Sequence, residues 1–162
     1  MQLRMIFALV PILSALFVEG RGLRQVFDKQ AFYKVMETGD LGQINDELTK
    51  IGSASLPEKE AYEGALLMRK AGLTGNPADK LKFFKAGRIK LESSLIKDSS
   101  NGEYHFLRLT IQEHAPGIVR YHAELKKDSR YLHDTFKSLS PVVRQAIIDY
   151  SKNSKILRPE DF

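Results

Sequence analysis

The sequence predicts an all-α fold of seven or eight helices stacked as antiparallel hairpins, and three observations carry that expectation. From Leu23 onward, apolar residues recur at intervals of three and four, the period of a helix that buries one stripe. No stretch alternates apolar and polar residues for long enough to make a strand, and Asn101-Gly102 lies between two helical patterns rather than two alternating runs. Helix start and stop signals follow one another along the whole chain.

Residues 1–20 read as an address. Met1 to Arg4 supply a positive start, Met5 to Val18 form a 14-residue apolar run, and Glu19 to Gly22 break it. That is the layout of a secretory signal peptide, and the run is shorter than the ~20 apolar residues that span a bilayer. A periplasmic or secreted location follows. Val18 and Gly20 form a weak small-x-small cleavage site, so a retained anchor stays open as the alternative. The chain has no cysteine, which excludes a lipoprotein anchor, disulfide staples, zinc–thiolate sites and thiol catalysis. A helical domain is expected over 21–155, with 156–162 fraying because the chain turns polar after Ser151.

The helices follow in order. Leu23, Phe27, Ala31 and Val35 mark one from about 22 to 37, stopped by Gly39. Asp40 caps the next, where Leu41, Ile44, Leu48 and Ile51 share a face up to Gly52. Ser55 and Glu58 have the spacing of a capping box for a third, with Ala61, Ala65 and Met68 along its apolar side. Asn76-Pro77 opens a fourth with a cap and a proline at its first position. Residues 118–127 suggest a short helix carrying Tyr121, Asp128 or Ser129 would cap another, and Ser140-Pro141 begins the last.

The stretch from Leu81 to His114 is the expected centre. Residues 81–97 are apolar on two sides, with Leu81, Phe84, Leu91 and Leu95 on one and Phe83, Ala86, Ile89 and Ile96 on the other. Residues 102–114 set Tyr104, Leu107 and Ile111 on one face and Phe106 and Leu109 off it. Two-sided helices require neighbours on both sides, so this pair is expected to pack together inside the stack. Gly87, Leu91 and Ser94 form a small–large–small series before the polar turn Asp98 to Asn101, and Tyr104 follows. This stretch resembles a degenerate tetratricopeptide repeat, and it lacks the tryptophan and Leu-Gly pair of that family's first helix. Residues 103–121, EYHFLRLTIQEHAPGIVRY, resemble a signature of small uncharacterised exported proteins of Bacteroidota bacteria. The resemblance implies a periplasmic setting and assigns no residue a chemical role.

No catalytic, cofactor or metal site is expected. The four histidines stand nine, eight and eleven residues apart, which places no two on one helical turn. Ser93 and Ser94 lack a nucleophile elbow, and Gly72 to Gly75 lacks the ending of a phosphate loop. The candidate binding residues are Arg88, Tyr104, Arg108 and Tyr121. Both arginines interrupt apolar stripes, and a partly buried guanidinium needs a carboxylate, for which Glu92 and Glu103 are at hand. They serve either as structural ion pairs or as recognition points for an acidic group. The net charge of +5 would suit an anionic partner, but export removes nucleic acid from consideration. The expected function is therefore a non-catalytic scaffold for a protein or peptide, touching a membrane only through a retained N-terminus. An envelope protein holding a small ligand among Tyr104, Arg108 and Tyr121 is the second expectation, and an enzyme of unfamiliar type the third.

Overall fold

The computed structural model describes residues 27–162, so the expected signal peptide and the first turns of the helix expected from residue 22 lie outside the described residues. Within them the protein is all-α, with seven α-helices and no strand. They are α1 (Lys29–Thr38), α2 (Leu41–Ser53), α3 (Lys59–Leu73), α4 (Pro77–Lys97), α5 (Gly102–His114), α6 (Leu125–Thr135) and α7 (Pro141–Ser151). None of these helices is long and apolar enough to cross a membrane.

Local chemistry sets most of the boundaries. Asp28, Asp40, Asn76, Asn101 and Ser140 each cap a helix by accepting hydrogen bonds from backbone N–H groups of its first turn. Gly39 closes α1 in the left-handed region at φ 73°, a conformation that costs glycine little. The helix expected from residue 22 is not continuous through Phe27, because the Asp28 side chain takes the N–H groups of Gln30 and Ala31 and begins α1 there. Nor do Ser55 and Glu58 form a capping box: α3 starts at Lys59 without any side-chain cap.

The closest helix pair is α3 with α4, not α4 with α5 as the sequence suggested. A Cβ on Gly87 would stand 2.5 Å from the carbonyl oxygen of Gly64, and one on Gly64 would stand 2.7 Å from the backbone nitrogen of Leu91. The two backbones therefore meet at a crossing that only glycine permits. Gly87 and Leu91 lie at this crossing, and Ser94, the last of the series, is buried as well. The second apolar side expected of α4 is open to solvent at Ile89 and Ile96, because no helix among the described residues covers it.

α5 is the interior helix that its two-sided pattern predicted, and every residue from Gly102 to Leu109 is buried. Tyr104, Leu107 and Ile111 join Phe32, Ile44, Tyr62, Leu66 and Leu91 in one apolar cluster. Phe106 and Leu109 face a second cluster with Leu132 of α6, Val143 and Ile147 of α7, and Leu157. The expected fraying of 156–162 does not hold. Leu157 is 1% exposed, Ile156 and Phe162 pack beside it, and Glu113 accepts from the Lys155 N–H at 2.6 Å and the Ser154 hydroxyl at 2.7 Å. A polar composition concealed one anchoring leucine and its carboxylate clamp.

Candidate functional site

The short helix expected over 118–127 is instead a 3-10 turn at Gly117–Val119 followed by irregular chain to Leu125. Arg120 ends that turn in the left-handed region, at φ 48° and ψ 50°. A side chain other than glycine's pays about 1–2 kcal/mol there, a cost that recurs where a functional residue must be aimed. The irregular passage folds back so that Tyr121 is buried against Phe84 of α4.

Between this passage, α4 and α5 lies a recess of about 260 Å³, open to solvent and lined by Arg88, Glu92, Arg108, Gln112, Arg120, Tyr121 and Glu124, with Ala123. Arg108 is the best-held of its arginines. Its Nε and Nη2 donate to the two carboxylate oxygens of Asp128, both at 2.7 Å, and its Nη1 donates to Glu92 at 3.1 Å. Burial alone would favour a neutral Arg108, but the carboxylates outweigh it and raise the side chain's affinity for its proton. Asp128 also meets the Nδ1 of His105 at 2.7 Å, and the ring's Nε2 stands 2.9 Å from the carbonyl oxygen of Ser99. Both contacts are hydrogen bonds at once only when the ring carries both protons. Burial pushes the Asp128 carboxyl up, yet Arg108 and His105 together hold it below the usual carboxylate range.

The other two arginines are differently placed. The Arg88 guanidinium lies over the Tyr121 ring, 4.9 Å from its centroid, while the Tyr121 hydroxyl donates to Glu92. Burial and that carboxylate push the phenol up, so it remains a donor. Stacking on a ring face fixes a guanidinium but leaves the N–H groups on its edge free. Neither Arg88 nor Arg120 pairs with a carboxylate among the described residues. Gln112 lies deeper, 1% exposed, and its amide oxygen is buried without a donor. A buried amide left unpaired costs about 1–3 kcal/mol, and an entering polar group would recover part of that.

Three of the four residues proposed from sequence therefore come together: Arg88, Arg108 and Tyr121. Tyr104 does not; it is buried in the first apolar cluster, away from the recess lining. Of the two carboxylates suggested for Arg108, Glu92 serves, whereas Glu103 accepts from Tyr33, Tyr62 and Lys29 on the other side of α5. Asp128, read from sequence as a helix cap, is the main partner, because α6 begins three residues earlier. His105, one of the four histidines whose spacing suggested no metal site, is buried beside it. Gln112 follows Arg108 by four residues, so helical spacing alone could have placed it on the same face. Nothing local in the sequence marks Arg120.

Set against protein-family models, curated proteins and solved structures, the chain matches none.

Proposed function

We propose that the protein is a non-catalytic helical binding module that accepts an acidic group of a protein or peptide in the recess beside α4 and α5. The observation that carries this reading is the division of labour among the arginines: Arg108 is neutralised by Asp128 and Glu92, whereas Arg88 and Arg120 line the same recess as the Gln112 amide with no carboxylate partner among the described residues. A half-turn of that amide offers its NH2 to an entering carboxylate. Guanidinium forks match carboxylate geometry, which suits recognition of a side chain or chain end.

The size of the recess favours a tip over a whole small molecule. Ligand pockets that engulf a drug-sized compound run from about 300 to about 1,000 Å³ and bury most of it; this one is smaller and open. The N-terminal run adds the expectation of an exported protein. The α3–α4 hairpin followed by α5, with Gly87 and Leu91 at its crossing and Ser94 buried as well, supports reading this part as a repeat-like unit.

The test is an NMR titration with acetyl-Gly-Glu-Gly-amide and its Gln counterpart. The Glu peptide should shift the Arg88, Gln112 and Arg120 side-chain resonances, and the Gln peptide should not. Arg120→Gly should weaken the interaction without lowering stability, since glycine relieves the positive φ at that position. Equal responses to the two peptides would sink the proposal.

A further inference from the structure

The recess continues onto the solvent side of α4. At the helical turn of 100° per residue, Lys82, Lys85, Ile89 and Ile96 fall opposite Phe84, Gly87, Leu91 and Ser94, which face the protein, and Leu81 and Lys97 stand at the two margins of that side. Leu81 is 49% exposed, Ile89 67% and Ile96 84%. At about 1.5 Å per residue, these three stand about 12 and about 10.5 Å apart along the axis, close to the advance of one heptad. Ile118, 90% exposed, lies two residues from Arg120. An exposed isoleucine thus neighbours each of the two recess arginines that have no carboxylate partner among the described residues: Ile89 follows Arg88, and Ile118 stands two residues before Arg120.

Charge along the middle of this side is positive, with Asp79 at the start of the helix and Glu124 at the recess as acids on its margins. Glu92 is the one acid between residues 80 and 97, and Arg108 and Tyr121 occupy it. Lys90 points the other way and pairs with Glu60 and Glu63 of α3. Lys82, Lys85 and Lys97 are exposed and have no acidic partner among the described residues.

We infer that the solvent side of α4 is a docking surface for an acidic amphipathic helix of a partner protein, whose apolar residues cover Leu81, Ile89 and Ile96 while its carboxylates meet Lys82, Lys85, Lys97 and the recess. The inference rests on the proposed function, since the recess anchors one of those acids. Charge complementarity selects this occupant. A second copy packed antiparallel would bring its Lys97 toward Lys82 and Lys85, like charge against like. A bilayer would present a broad surface of headgroups, whereas the unpaired Gln112 amide lies beneath the surface and is met only by a group that enters.

The test uses the full chain and an acetylated, amidated peptide of about five helical turns, with leucine at the heptad seam positions and glutamate elsewhere. A version with lysine for glutamate is the control. The glutamate peptide should bind and shift the resonances of Lys82, Lys85, Ile89 and Ile96, more weakly at high salt. The exposed double variant Ile89→Asp/Ile96→Asp should lose about tenfold or more in affinity while keeping its helical circular dichroism and its response to acetyl-Gly-Glu-Gly-amide. Equal binding of the lysine peptide, or indifference to the double variant, would overturn the surface and leave the recess reading standing. Ile89-dependent retention on phosphatidylglycerol vesicles without peptide binding would assign the face to a membrane instead. Ile89-dependent self-association in sedimentation would assign it to a second copy. Failure of the short probe as well would remove both readings.

Discussion

Asp128 is the residue on which the interior of this protein is most exposed to pH. Its carboxylate is fully buried, accepts two hydrogen bonds from one edge of Arg108 and touches His105, and those contacts hold its proton affinity below that of a free carboxylate. A group depressed in the folded state contributes stability above its unfolded pKa, about 4 for Asp, and that contribution is lost as pH falls through the lower folded value. Glu113, which burial alone would raise but which Ser154, Lys155 and Tyr150 hold down, adds in the same direction. Urea unfolding should therefore show stability falling below about pH 4. Asp128→Asn should cost about 3–5 kcal/mol at neutral pH, because it leaves Arg108 buried without its main counter-charge, and should flatten that acid slope. An unchanged slope would mean that another group carries the acid response.

At the scale of elements, the α3–α4 crossing is the least forgiving contact. Gly64 and Gly87 let two backbones touch, and any Cβ placed there meets main-chain atoms that cannot step aside. Gly87→Ala should destabilise by about 1–3 kcal/mol through overpacking. Gly72→Ala, in the same hairpin but with open space at its Cβ, should instead stabilise by about 0.5–1 kcal/mol through helix propensity. Thermal unfolding of the two variants checks the contrast, and equal shifts would show that the close approach carries no cost. The glycine series was visible in the sequence, but the identity of its neighbour was not. Residues 81–97 are apolar on two sides, and periodicity cannot say which side is covered.

At the scale of the whole molecule, α5 joins two apolar clusters, with Tyr33 of α1 as a second bridge between them. Tyr104, Leu107 and Ile111 belong to one, and Phe106 and Leu109 to the other. Damage to either cluster should therefore lower a single shared transition. Leu157→Ala should cost about 2–5 kcal/mol, and urea curves followed at Tyr62 and at Leu132 should move together. Separate midpoints would show that the clusters fold independently.

The sequence by itself determined the all-helical class, the caps at Asp40, Asn76 and Ser140, the break at Gly39 and the interior position of α5. It also brought Arg88, Arg108 and Tyr121 forward together. These features are legible because a helix is held by bonds reaching three or four residues, so the residues that start, stop and stripe it stand close together in the chain. Only the tertiary structure decided that α4 packs on α3, that Asp128 rather than Glu103 takes Arg108, that Arg120 turns toward the recess and that Leu157 anchors the tail. Each of those depends on what a distant segment brings into contact, and no local pattern encodes it.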